Sequence, residues 1–162
     1  MTPTSVCKFS PDRKYRYTLW RDIRWHDPVD EPKILVFIGL NPSTADESQD
    51  DPTIRRCKGF ARDWGFDKLL MLNIFAFRST DPKQLYREQD PVGRHNDEEI
   101  ARSIKLATQV IAAWGVHGVL HHRGEAVRRQ HSSRLWHLGL TKAGHPKHPL
   151  YLRADTKPML WA

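Results

Sequence analysis

Polar side chains that are capable of binding or acid–base chemistry stand directly after apolar runs at several places in the chain. Asn41 follows the run 34–38, and Asn73 follows the run 69–72. The later segment 144–150 contains two histidines, a lysine and two prolines. An amide has both donors and acceptors and can therefore read the edge of a nucleobase. A histidine that prolines hold in place can stabilise a developing anion, so the pattern favours a site for a base-like ligand.

The stretch 39–46 carries the densest set of such residues. Gly39 permits a close approach of the backbone to a ligand, and the Asn-Pro pair at 41–42 begins a turn. Asn41, Ser43 and Asp46 would then lie beyond the carboxyl end of a strand, where open α/β sheets bind their ligands. A second interpretation is that Asn-Pro is only a turn and that the Ser-Thr pair caps the next helix. The residues alone leave both interpretations open.

Apolar periodicity predicts the elements that must position these residues. The predicted strands are 34–38, 68–77, 109–115 and 140–143, with one or two antiparallel strands before them in 15–25. The predicted helices are 52–64, 97–107 with Asn96 as its cap, 119–138, and a short one at 82–86, and the tail from Arg153 is expected to pack loosely. This order predicts one domain over residues 1–162, a three-layer α/β/α fold with a central, mainly parallel four-stranded sheet plus an N-terminal β-hairpin. The strand ends near residues 39, 73, 115 and 144 would meet at one edge, with Asp46, Asp50 or Asp51 nearby.

Composition narrows the classes of function. Lys and Arg number 26 against 19 Asp and Glu among 162 residues, a net charge of +7, which favours a nucleic-acid partner. No apolar run approaches the roughly 20 residues of a membrane span, and the N-terminus lacks a signal-peptide core, so a cytoplasmic location without a membrane partner is expected. The two cysteines are far apart and the nine histidines do not stand at ligand spacing with carboxylates, so no metal is expected. No glycine-rich dinucleotide motif or Walker motif occurs, and we expect no cofactor.

Five motifs together resemble a family of bacterial and phage proteins known as domain of unknown function 1643. They are Gly-Leu-Asn-Pro-Ser-Thr-Ala-Asp from 39, Asp-Asp-Pro-Thr-Ile-Arg-Arg-Cys from 50, Leu-Asn-Ile-Phe-Ala-Phe-Arg-Ser-Thr from 72, Trp-Gly at 114–115, and Gly-His-Pro-Lys-His-Pro-Leu-Tyr from 144. The resemblance covers nearly the whole chain. The family's name carries no activity.

The same landmarks are similar, more distantly, to the uracil-DNA glycosylase superfamily, which implies a glycosylase-like α/β fold. That resemblance implies a residue for each step: Asn41 to position water, Asn73 to read the base, His145 beside the departing base, Leu150 to enter the duplex, and Phe60 as the stacking ring. Two positions depart from the pattern. Ser43 stands where related branches favour Gly, and Lys147-His148 lengthens the last loop by one residue, so both His145 and His148 are candidates.

These observations predict a protein that acts on nucleic acid or nucleobases and hydrolyses an N-glycosidic bond to a modified or damaged base, with DNA favoured over RNA. The predicted catalytic residues are Asn41, Asp46, His145 and His148, and the predicted binding residues are Gly39, Leu40, Pro42, Ser43, Phe60, Asn73, Lys147 and Leu150. No carboxylate occupies position 41, which keeps open a non-catalytic module that recognises modified bases. An enzyme for free nucleosides or nucleotides is the third possibility.

Overall fold

One seven-stranded sheet forms the centre of the part of the chain that the computed structural model describes, residues 5–24 and 30–162. Its strands are β1 Ser5–Phe9, β2 Arg16–Asp22, β3 Ile34–Gly39, β4 Lys68–Asn73, β5 Gln109–Ala112, β6 Leu135–His137 and β7 Met159–Leu160. The α-helices are α1 Pro52–Asp63, α2 Asn96–Leu106 and α3 Arg123–His131, and 3-10 helices span Pro82–Tyr86, Val116–His122 and Pro149–Tyr151. The expected mixed α/β fold is confirmed.

The strands follow the spatial order β1-β2-β4-β3-β5-β6-β7. The inner four, β4, β3, β5 and β6, run parallel, and the outer strands pair antiparallel. The sheet therefore has seven strands, where a central four-stranded sheet plus an N-terminal hairpin was predicted. The N-terminal hairpin is continuous with it because β2 pairs with β4, Leu19 opposite Met71. Trp25, the end of the predicted N-terminal strand region, lies outside the described residues.

Helices cover both faces of the sheet. Alternate residues of β3 point to opposite sides, so Leu35 and Phe37 pack with α1 while Val36 and Ile38 pack with α2 and α3. The helix α1 begins where the sequence predicts, because Asp51 accepts the Ile54 N–H at 2.9 Å and Pro52 occupies the first turn. Parallel strands covered on both faces explain why their sequences are continuous apolar runs.

Four predicted elements are corrected by the structure. Strands β4 and β5 are shorter than predicted and end at Asn73 and Ala112. The predicted helix 119–138 is instead a 3-10 helix, α3 and β6, and the chain turns through positive φ angles at His121 and His122. The predicted strand 140–143 is a turn in which Leu140 makes one bridge, because β6 already occupies that edge of the sheet.

Two further corrections concern α2 and the tail. Asn96 is not the helix cap: it lies inside the first turn, fully buried, and its side chain donates to the backbone oxygens of Asn73 and Ile74. The tail is not loosely packed throughout, since β7 pairs with β6 and Trp161 is buried. Both differences arise from tertiary contacts that local sequence patterns do not encode.

Candidate functional site

A cavity of about 490 Å³ opens at the carboxyl edge of the parallel strands. Its walls come from the segments after β3, β4 and β5, from the start of α1, and from the 3-10 helix Pro149–Tyr151 with the residue before it. The polar side chains that matter most for chemistry are those of Asn41, Asp51 and His148, which all line this cavity. Ligands of open α/β sheets bind at this edge, so the cavity is the candidate functional site.

Asn41 is held in one orientation by its neighbours. Its Nδ2 donates to the backbone oxygens of Phe77 at 3.3 Å and Ser79 at 3.1 Å, and to the Ser79 hydroxyl at 3.0 Å. These contacts tie the loop after β3 to the loop after β4. Because Nδ2 is used in this way, Oδ1 is the part of the amide left to accept a hydrogen bond from a water or a ligand.

His148 is half-buried and has a fixed proton pattern. Its Nδ1 accepts the N–H of Leu150 at 3.3 Å, so in the neutral ring Nε2 carries the proton and can donate. Burial lowers the pKa of His148, and the charge of Asp51 acts in the opposite direction. The ring therefore stays neutral to a lower pH than an ordinary histidine.

The sequence places three aspartates near the site, Asp46, Asp50 and Asp51, and Asp51 is the one that lines the cavity. It is buried and caps α1 while lining the cavity. Asp46 instead accepts the N–H groups of Ser48 and Gln49, which lower its pKa, and it does not line the cavity. Asp50 pairs with Arg21 and Lys58, so neither of these two carboxylates faces the candidate site.

Asn73 does not line the cavity, but it ends the strand next to the one that leads into it. It is opposite Gly39 in the sheet, and a Cβ added to Gly39 would come within 2.9 Å of its Oδ1. Asn73 is 4% exposed and its Nδ2 has no hydrogen-bond partner among the described residues. A buried amide donor without a partner is unusual, and glycine at position 39 is the residue that allows the amide to lie so close to β3.

His145 is separated from the site. It lines a second cavity, of about 320 Å³, on the other side of the loop 144–148. Lys147 is exposed between the two, with its stem near Gly139. Of the two candidate histidines, His148 is therefore the one that shares a cavity with Asn41.

Phe60 occupies the core. It is 1% exposed, and its ring stacks with Phe37 and Trp64 at centroid distances of 6.2 and 5.1 Å. These contacts place the ring in the core, although Phe60 also borders the groove that Leu150 lines, and its role as a base-stacking ring stays a prediction. The helical period that marks it as apolar also fits a core residue, as its position in α1 shows.

The remaining predicted binding residues border the cavity or support it. Leu40, Ser43 and Leu150 line it, and Gly39 and the buried Pro42 flank the residues that do. Sequence reasoning missed Tyr151, which is 86% exposed at the rim with its ring 5.7 Å from that of His148. It also missed His117, which lines the cavity and contacts the Tyr86 hydroxyl at 3.2 Å. Their signals are a tyrosine that ends the last motif and a histidine shortly after Trp-Gly.

The rim of the site carries basic and apolar groups together. A shallow groove next to the cavity is lined by Arg55 and Arg56 of α1 and by Leu150, which borders both.

Within the described residues, no group of three or more His, Cys, Asp or Glu side chains is placed to hold a metal ion. None of the helices in this part of the chain is long and apolar enough to span a membrane.

Comparison with protein families gives one result, and it covers most of the chain. The family described as "Protein of unknown function (DUF1643)" matches residues 16–150. The chain belongs to this family. Its matched region includes β2 to β6 and nearly all of the cavity, from Leu40 to Leu150. Searches of curated proteins and of solved structures give no significant match.

Proposed function

We propose that this protein acts on a nucleobase in nucleic acid and hydrolyses its N-glycosidic bond. The observation that carries the proposal is the shared cavity of Asn41, Asp51 and His148 at the carboxyl edge of the parallel strands. It combines an oriented amide, a carboxylate and a neutral imidazole donor. The likeness of the motifs to the uracil-DNA glycosylase superfamily supports the same reading, and so does the parallel order β4-β3-β5-β6.

The proposed reaction uses these groups as follows. The Oδ1 of Asn41 and the carboxylate of Asp51 hold a water, whose oxygen attacks the anomeric carbon of the sugar. The bond from that carbon to the base nitrogen breaks, and its electron pair leaves with the base. Asp51 accepts the proton of the water, and Nε2–H of His148 donates a hydrogen bond to the base anion. A neutral imidazole suits this geometry because Nε2–H can donate while Nδ1 keeps its bond from the Leu150 N–H.

Asn73 is assigned to base recognition within this proposal. Its Nδ2 is a buried donor without a partner among the described residues, and its Oδ1 lies close to Gly39, the residue directly before the cavity-lining Leu40. A base in the cavity that accepts from Nδ2 would satisfy it, and a base with a donor at the same place would leave both groups unpaired. Such mismatches typically cost about 1–3 kcal/mol, so one amide is able to discriminate between bases.

Nucleic acid as the substrate is supported by charge and by the rim. The net charge of +7, Arg55 and Arg56 beside the cavity, and the exposed Leu150 and Tyr151 suit a phosphate backbone and an unstacked base. A base in a duplex would have to be flipped out, at a cost of roughly a few kcal/mol. DNA remains the favoured substrate.

Incubation with oligonucleotides that carry damaged and hypermodified bases tests the activity, with free base measured by mass spectrometry. For the substrate that reacts, Asp51→Asn should lower the rate by about 10²–10⁴-fold, the usual contribution of a general base. Asparagine is also a good helix cap, so α1 should persist. Asp46→Asn is the matched control and should stay within about threefold of the wild type, because Asp46 holds only its own loop. Equal losses in the two variants would contradict the role of Asp51.

A second candidate is a module that binds a modified base without cleaving it. The specific observation in its favour is that the Asp51 carboxylate is already engaged, since it accepts the Ile54 N–H as the cap of α1. In that case base-dependent binding would be measurable, Asp51→Asn would leave it nearly unchanged, and no oligonucleotide would release its base.

A further inference from the structure

Two exposed tyrosines border the cavity of Asn41. In the part of the chain that the structure describes, Tyr86 and Tyr151 are the exposed members of the Phe, Tyr and Trp side chains, and the others are buried or half-buried. Each of the two rings contacts a histidine that lines this cavity, Tyr86 through His117 and Tyr151 through His148. Exposed apolar groups that gather at one place mark interaction sites, whereas scattered ones do not.

Both rings leave a face open to a flat partner. The Tyr86 hydroxyl lies 3.2 Å from the His117 Nδ1, and the planes of the two rings are 80° apart. Because this contact is made at the hydroxyl end of the ring, His117 leaves the faces of Tyr86 uncovered, and half of the side chain is exposed. Tyr151 is still more open, since it is exposed over nearly its whole surface.

Two aliphatic side chains complete the apolar rim. Val116 is 52% exposed and directly precedes His117, and Leu150 is 38% exposed and directly precedes Tyr151. Both aliphatic residues line the cavity, whose walls also carry the amide, carboxylate and imidazole of the candidate site. The site therefore combines polar groups inside the cavity with flat and apolar groups around its mouth.

Basic side chains stand beside both tyrosines. Lys83 lies in the same 3-10 helix as the first of them, Arg87 follows that helix, and both side chains are exposed. Neither forms an ion pair with another described residue. Near the second tyrosine, Arg55 and Arg56 line the groove next to the cavity. Aromatic rings combined with basic groups are typical of surfaces that bind single-stranded nucleic acid.

We propose that the nucleotides on either side of the base in the cavity stack on Tyr86 and Tyr151, so that the site takes an unpaired stretch of DNA. This inference rests on the proposed function because it needs a base in the cavity, but it does not need the bond to be cleaved. Stacking on the rim replaces the stacking of each base on its neighbour, which a continuous duplex would have to give up on both sides of the target. Every base has a flat face, so the rim adds affinity without reading sequence.

The test measures the affinity of the full chain for a short fluorescein-labelled DNA of mixed sequence by fluorescence anisotropy, as a single strand and as a duplex. Charge alone would favour the duplex, whose phosphates are more densely spaced, whereas the proposal expects the single strand to bind at least about fivefold more tightly. Tyr86→Ala and Tyr151→Ala should each weaken the single strand by about fivefold or more, the usual loss when one base loses its stacking ring. Tyr86→Phe and Tyr151→Phe keep the ring and should stay within about twofold of the wild type.

Leu106→Ala is the control for the loss of an exposed apolar side chain. Leu106 is 56% exposed and ends α2, which leads into β5 at the opposite edge of the sheet from the cavity. It should bind the strand within about twofold of the wild type, and thermal melts should show all five variants folded.

Three results would overturn the inference: no preference for the single strand, alanine variants that bind like the wild type, or phenylalanine variants that lose as much as the alanine ones. Base release that depends on neither tyrosine would also remove it while leaving the proposed function standing. Strand binding that depends on both rings, without base release from any oligonucleotide, would support it and contradict the hydrolysis.

Discussion

The substitution Asn73→Ala separates a base-reading amide from a core residue. In the structure, the Asn73 Nδ2 is buried without a partner, so the folded protein already bears the cost of removing that donor from water. Such a cost is about 1–3 kcal/mol. Truncation to alanine removes the buried donor and therefore this cost, but it leaves a small cavity whose cost is comparable. The free energy of unfolding should therefore change by less than about 1 kcal/mol. Base discrimination, in contrast, should be lost.

Asn96→Ala is the matched control, because it removes the same side chain from a neighbouring position that the protein uses internally. The Asn96 Nδ2 donates to the backbone oxygens of Asn73 and Ile74, at 2.8 and 3.2 Å, and the residue is fully buried. The loss of these bonds and the cavity should cost about 2–4 kcal/mol. For a domain of this size the melting temperature should fall by roughly 4–16 °C.

Thermal melts of both variants, combined with binding or base release across a panel of oligonucleotides, give the answer. We expect Asn73→Ala to melt near the wild type without base preference, and Asn96→Ala to melt early with its preference retained at low temperature. A fall of more than about 2 kcal/mol for Asn73→Ala with unchanged base preference would show that Asn73 is a core residue and would refute the reasoning.

Three further predictions follow from the geometry of the site and the charges around it. Gly39→Ala should abolish base discrimination, because its Cβ would meet the Asn73 Oδ1 at 2.9 Å. Gly59→Ala is the control, because its Cβ would meet nothing within 4 Å, and thermal melts should show it neutral or stabilising by up to about 1 kcal/mol. Affinity for an oligonucleotide should fall with salt, and Arg55→Gln should reduce the log–log slope by roughly 0.7–0.9, the value of one phosphate contact; an unchanged slope would remove Arg55 from the interface. Burial lowers the pKa values of three histidines, His131, His137 and His148, so the unfolded chain binds protons at a higher pH than the folded one. The free energy of unfolding, measured by chemical denaturation, should therefore decrease as the pH falls below 6.5. A flat profile from pH 6.5 to 5 would contradict the lowered pKa values.

The parts of the fold that the sequence predicts are those in which one local pattern determines the structure. The apolar run from Ile34 gives β3, and Asp51-Pro52 with apolar residues at helical spacing gives α1. The region 119–138 has no such pattern, since its Arg and His residues suit a solvated helix and hide the short strand β6. Its fold depends on the turn at His121 and His122 and on the open edge of β5.

The candidate site, like the fold, is predictable only where a local pattern marks a residue. Asn41 is marked because it is a polar residue directly after an apolar run, and the last motif is marked because its histidines stand beside prolines. His148 lines the cavity of Asn41, whereas His145 lines another cavity. This difference depends on the path of the loop 144–148, which the sequence pattern does not predict. Phe60 has the pattern of both a core ring and a stacking ring, and only its neighbours Phe37 and Trp64 identify it as core.

The most direct test of the central claim is the rate of base release by His148→Ala and His145→Ala, measured by mass spectrometry on the best oligonucleotide of the panel. If the cavity of Asn41, Asp51 and His148 is the active site, His148→Ala should lose about 10²–10³-fold in rate, the usual effect of removing one donor to a developing anion. His145→Ala should react within about threefold of the wild type, because His145 lines the other cavity. The opposite order, or release that neither substitution alters, would contradict the account.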